Sequence, residues 1–223
     1  MAKNKNLRES ETSAPENTKE LLVQAAKHLF ASKGYDGTTV KDIADRAGVN
    51  ISLVSYHFNG KEGLYRTCIL EFGQSRLDAA QRVLQVPSSY EECRVRMQMF
   101  VEEMMSWMMA NPECCQMIQR EAELGLPVAQ DVFESTFLQV FVTLKKFIAA
   151  SQEKGFLNPE FDPHLAASLF HMSLVHITQM DKLGARFFGL TLQDEKYQKK
   201  VKDHLIEIFL KGLAGAKHQA RGE

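Results

Sequence analysis

The sequence contains no apolar run approaching the roughly 20 residues that a membrane-spanning helix needs. Its first residues, MAKNKNLRESETSAPENT, lack the apolar centre of a secretory signal. A soluble, cytoplasmic protein with no membrane partner is expected. Charge of one sign is also missing: 27 Lys and Arg stand against 28 Asp and Glu, a formal −1. Overall charge therefore announces no nucleic-acid partner, and such a partner would have to be read from a local surface. Cysteine is scarce. Cys68, Cys93, Cys114 and Cys115 have neither metal-ligand spacing nor the density of a disulfide scaffold, so buried thiols are expected, with redox or metal sensing as the alternative. His164, His171 and His176 fall on one predicted helix with no HExxH pattern, which suggests core or interface histidines. No metal and no cofactor are expected.

Strand-period alternation is also absent over any length, and what remains is helical periodicity in most of the chain. Leu22, Ala25, Ala26, Leu29 and Phe30 form one stripe, in a helix expected from Asn17 or Thr18 to Gly34. Val40, Ile43, Ala44 and Ala47 form a second, with Thr39 as candidate N-cap and Gly48 as its end. Asn50 can cap a third, short helix in which Val54 and Phe58 face inward. Further helices are expected at about 61–86, 90–110 and from Pro112 to a stop at Leu124-Gly125. The last three are expected at 127–154, 163–183 and 194–213, so the fold class is all-α.

Two stub helices joined by a tight glycine turn and supported by a third describe a helix-turn-helix, which sets its second helix in the DNA major groove. At 100° per residue, turning Val54 and Phe58 inward puts Ser52 and Tyr56 outward, flanked by Leu53 and Ser55. That face is small and uncharged, suited to hydrogen bonds and methyl contacts with base edges. Thr38, Thr39 and the amides that follow can grip a phosphate, and Lys61 lies on the other flank. Residues 1–66 carry ten Lys and Arg against eight Asp and Glu, and the remainder seventeen against twenty, an asymmetry of the right sign but small.

The stretch LLVQAAKHLFASKGYDGTTVKDIADRAGVNISLVSYHFNGKEGLYRTCI resembles the DNA-binding domain of the TetR family of transcriptional regulators. The matching elements are A-x-x-L-F-x-x-K-G-Y-x-x-T-T-V-x-x-I-A, A-G-V-x-x-x-x-V-x-Y-H-F and K-E-x-L-Y, in order and over about the first third of the chain. The resemblance implies a dimeric all-α regulator whose variable C-terminal helices bind a small molecule and release DNA. It assigns DNA contacts to Thr39, Tyr56, His57 and Lys61, with Asn50, Ile51, Ser52, Leu53, Ser55 and Tyr56 as the base-reading stretch. Many members have Leu-Tyr where this chain has Val54-Ser55; that tyrosine's phosphate contact is absent, and Tyr56 is its candidate substitute.

The expected organisation is a flexible tail at 1–15, a helix-turn-helix domain at 16–62, a helical effector-binding and dimerisation domain at 63–216, and a tail at 217–223. Met104, Met105, Trp107, Met108, Met117, Phe133, Phe137 and Phe141 are candidates for an apolar effector pocket, although a methionine stripe at helical spacing is also how a core looks. Arg120 or Glu121 could meet one polar group of the effector, with solvent exposure the simpler expectation. Leu165, Leu169, Met172 and His176, with Val201, Leu205 and Ile208, are candidates for a homodimer interface. The expected function is a non-enzymatic repressor on a palindromic double-stranded operator, released by the effector. The alternatives are a small helical enzyme, for which no acid–base pair or activated nucleophile has workable spacing, and a protein-interaction module.

Overall fold

The computed structural model describes residues 8–213, with side chains from residue 17 to residue 212. Eleven helices succeed one another: α1 Arg8–Lys33, α2 Val40–Ala47, α3 Ser52–Phe58, α4 Lys61–Val83, α5 Tyr90–Ala110, α6 Pro112–Glu123, α7 Gln130–Ser135, α8 Phe137–Glu153, α9 Pro163–Gln179, α10 Asp181–Phe188 and α11 Glu195–Leu213. The all-α expectation holds.

Several boundaries differ from expectation. Residues 8–15, expected as part of a flexible tail, form the first turns of α1. Residues 1–7, and the tail expected at 217–223, lie outside the described residues. The long helix expected from Pro127 is two, α7 and α8, separated at Thr136, which is fully buried with φ −124° and ψ −77°. The helix expected to run to Leu183 stops at Met180, and the chain resumes as α10.

The described chain divides into two compact units: residues 8–73 with 111–133, and residues 74–110 with 134–213. Helix α4 thus passes from one into the other at Gly73, and α6 belongs with the helices of the N-terminal third. In the first unit Leu22, Ala26, Phe30, Ile43, Val54, Leu64 and Cys68 are buried. His28 Nδ1 lies 2.7 Å from Glu113 Oε1, and Arg120 Nη1 donates to the Phe30 carbonyl at 3.4 Å, one of the last carbonyls of α1. Both bonds tie α6 to α1.

In the second unit the core is built from α4, α5, α8, α9 and α11. Phe100, Met105, Leu144, Phe147, Phe170 and Leu174 are each 2% exposed or less. Phe170 of α9 meets Phe209 of α11 edge-on, with ring centroids 4.8 Å apart. No helix among the described residues is long and apolar enough to cross a membrane.

Candidate nucleic-acid interface

Helix α2 is fixed at both ends by its own sequence. Thr39 Oγ1 accepts from Asp42 N at 3.0 Å and Asp42 Oδ2 accepts from Thr39 N at 3.1 Å, a closed capping box. Hydrogen bonds from Thr39, its side chain first and its backbone N–H second, hold the Asp42 carboxyl below its usual range. At the other end Gly48 takes a left-handed φ of 68°, which costs glycine nothing. Val49 N then returns to the Ala44 carbonyl at 3.1 Å, closing the turn into α3.

Asn50, expected to cap α3, stands one residue before Ile51, the residue that flanks the helix. Its Oδ1 accepts from Ser52 N at 2.9 Å and Ser52 Oγ at 2.8 Å, an Asx turn leading into the helix. Val54 (0% exposed) and Phe58 (5%) anchor the helix, and the opposite face stands in solvent. Ile51 is 50% and Tyr56 79% exposed, Ser52 and Ser55 are exposed, and Leu53 and His57 are half-buried. The His57 ring packs edge-on to Tyr56 with centroids 4.8 Å apart.

The two flanks differ from expectation. Thr38 is 1% exposed, and its hydroxyl donates to the Gly34 carbonyl at 2.8 Å, with the Leu29 carbonyl at 3.2 Å. Thr38 therefore closes the end of α1 and cannot offer its side chain to a phosphate; Thr39, exposed, keeps that candidacy. Lys61 begins α4, where a cation opposes the positive helix end. Its ammonium is held instead by the carbonyls of Tyr35 at 3.0 Å and Thr38 at 3.2 Å, over the Tyr35 ring at 4.1 Å from the centroid. Two of its three N–H groups are committed, which leaves one donor and the charge at this edge.

The same unit holds a buried link from α4 to α6 that sequence reasoning missed. Glu121 of α6, expected in solvent, is 4% exposed. It accepts from Tyr65 Oη at 3.0 Å, Val128 N at 2.7 Å and Ala129 N at 2.8 Å. Burial, then the Glu121 charge beside it, raises the Tyr65 pKa. Arg66 donates to the Val128 carbonyl at 3.0 Å and also pairs with Asp131. The signal was available: Cys114, Met117 and Glu121 follow i, i+3, i+7, the spacing of an inward face. Gly63 was also passed over. A Cβ there would lie 1.8 Å from the Phe58 carbonyl oxygen, so the α3–α4 corner admits only glycine.

The remaining candidates are distributed as follows. Met104 and Met105 are packed in the core of the second unit, with Phe141 against it. Trp107 lies under the Arg76 guanidinium, 4.0 Å from the ring centroid, and Met108 Sδ is 3.7 Å from Thr178 Oγ1. Phe137 is half-buried at the start of α8. Met117 and Phe133 lie in the first unit, apart from the other six. Of the interface candidates, Leu165, Leu169, Met172 and Ile208 are 61–68% exposed, His176 is exposed and Val201 is half-buried. Leu205 is corrected: it is 6% exposed within its own core. Presenting it to a partner would forfeit roughly 1.5–3 kcal/mol of burial.

Burial raises the Cys68 thiol to about 12 and the Cys114 thiol to about 11, which leaves both protonated and unreactive near neutrality. No cluster of three potential metal ligands occurs among the described residues. Burial also lowers the His171 pKa.

A capped pair of short helices, the second anchored by Val54 and Phe58 and bearing an uncharged exposed face, is a helix-turn-helix, the unit with which a class of DNA-binding proteins enters the major groove. Residues 22–68 match the family model described as bacterial regulatory proteins, tetR family. The chain is 28% identical over 141 residues to the "Probable HTH-type transcriptional regulator YttP" of Bacillus subtilis, spanning 62% of this chain and 66% of that protein. It is 32% identical over 77 residues to the "HTH-type transcriptional repressor KstR2" of Mycolicibacterium smegmatis, spanning 34% of this chain and 38% of that one. The structure of the ketosteroid transcriptional regulator KstR2 of Mycobacterium tuberculosis shares the fold, with a TM-score of 0.66 at 20% identity over 88% of this chain and 94% of that one. Over residues 22–68 the chain thus carries a DNA-binding domain of the tetR family of bacterial regulatory proteins, and the relatives it matches are transcriptional regulators.

Proposed function

We propose that the protein is a dimeric, sequence-specific repressor that leaves its operator when a largely apolar small molecule binds the second unit. The observation that carries the reading is the face of α3. Ile51, Ser52, Ser55 and Tyr56 are exposed and uncharged on a helix pinned by Val54 and Phe58. Tyr56, 79% exposed beside two serines and touched edge-on by His57, is not part of the core, and its hydroxyl and ring edge suit base edges in the major groove. Thr39, Asn50, Leu53, His57 and Lys61 complete the proposed surface, with Thr39 and Lys61 facing phosphates. Repression agrees with the mycobacterial relative KstR2, which is named a transcriptional repressor.

Two copies join through the outer faces of α9 and α11. Phe170 and Phe209 pack these helices together, and Leu169 and Ile208, each one residue earlier, stand exposed. The effector is assigned to Trp107, Met108, Phe137 and Phe141 of the second unit; Met104 and Met105, packed in its core, and Met117 and Phe133 of the first unit are carried only as candidates. An effector shifts the protein only by binding one conformation better than the other. The chain links on which such a shift can act are α4, continuous from Lys61 to Val83, and the chain passages at residues 110–111 and 133–134. Action in the cytoplasm follows from this role.

The test compares two kinds of substitution on one set of DNA duplexes. Lys61→Ala should weaken all sequences about equally and reduce the salt dependence by roughly one unit per subunit. Ser52→Ala or Tyr56→Phe should change which bases are preferred, by about 1–3 kcal/mol per lost base contact. Unchanged base preference in both of the latter would overturn the assignment of α3 as the reading helix.

A further inference from the structure

Helix α10 was not expected, and none of its residues is buried. It is nevertheless built firmly. Asp181 at its start accepts from Leu192 N at 2.6 Å and Thr191 Oγ1 at 3.1 Å, so its entry and exit are tied together. On this fixed projection Leu183 is 47%, Phe187 66% and Phe188 77% exposed, with Leu190 following at 44%. A contiguous apolar patch on an ordered element marks an interaction surface. Its bounding charges, Lys182 and Arg186, are exposed.

We propose that α10 forms part of the surface on which a second copy of this chain docks, extending the α9–α11 face. The proposal rests on the dimer reading above. Area argues for it. Leu165, Leu169, Met172 and Ile208, 61–68% exposed, offer roughly 100 Å² apiece, about half of the ~800 Å² per partner that a stable interface needs. The apolar side chains of α10 add roughly 400 Å² and close that gap. Continuity argues the same way, because Met180, 38% exposed, both ends α9 and begins α10. A two-fold contact between copies sets the same patch against itself, so its apolar side chains meet apolar side chains. A lipid surface is the weaker fit: α10 has two cations beside Asp181, short of a polybasic cluster.

The experiment is a dilution series of the full chain by sedimentation equilibrium, with Leu169→Glu as the reference for the α9 face. Phe187→Glu/Phe188→Glu should raise the dimer dissociation constant at least tenfold, and Phe187→Ala/Phe188→Ala by a smaller factor. Both side chains are exposed, so the helical circular dichroism of the two variants should match the parent, while melting shifts only as far as the weaker dimer requires. An unchanged constant in both double variants, while Leu169→Glu dissociates the dimer, overturns the role of α10 and leaves the α9–α11 dimer standing. If Leu169→Glu also leaves the constant unchanged, or the parent is a monomer, the dimer reading falls with it. Loss of binding to anionic vesicles with no change in dimerisation would assign α10 to a membrane and overturn the proposal.

Discussion

Glu121 and Tyr65 illustrate how one buried carboxylate organises the DNA-binding unit. A carboxylate taken out of water is tolerated only when hydrogen bonds replace its hydration, and three donors do so here. Tyr65→Phe removes one donor and leaves the other two, which should cost about 1.5–3 kcal/mol in urea unfolding, the range for a hydrogen bond to a charged group. A loss under about 0.5 kcal/mol would show that the bond contributes little. The inward position of Glu121 was legible in its spacing from Cys114 and Met117; its acidic side chain argued for solvent and prevailed. Thr38 was misread for a different reason. Two adjacent threonines are equivalent in composition, but only Thr39 is placed to cap α2, and the residue before it turns back to the end of α1.

At the scale of the element, the stub helices are short because their ends are specified. The capping box at Thr39 and Asp42, the Gly48 turn and the Asn50 turn were all readable, since each depends on side chains within three residues of the backbone they serve. Thr39→Ala should destabilise the first unit by about 1 kcal/mol at neutral pH. The pH dependence follows from Asp42, whose folded pKa is depressed. The stability it contributes is present above the unfolded value and is lost as pH falls through the folded one. The gap between parent and Thr39→Ala in thermal melts should therefore narrow as the pH is lowered through the acidic range, and a gap independent of pH would contradict the box. Breaks without punctuation were not legible. The α7–α8 break at Thr136 has no Gly or Pro, and α10 continues the apolar rhythm of α9 across Met180.

For the whole molecule, the all-α class and the helix-turn-helix were legible because periodicity and turn residues are local. The division into units was not. Residues 111–133 join the N-terminal helices through contacts distant in sequence, such as Tyr65 with Glu121 and Arg120 with Phe30. Spacing also cannot tell a packed methionine from one lining a pocket: Met104 and Met105 proved to be core, and Met108 is half-buried. Met108 thus becomes the informative position for the proposed effector response. Met108→Lys should abolish release from DNA while keeping operator affinity within about tenfold, or roughly 1.4 kcal/mol. Titration of the variant with an effector of the parent protein checks this, and a full response would place the pocket elsewhere. The proposed function requires two α3 helices, one from each copy, to read one DNA site. Selection of binding sites from random double-stranded DNA tests that most directly. It should return inverted half-sites with centres about 34–36 Å apart or a multiple of that distance, whereas enrichment of single, asymmetric sites alone would contradict the account.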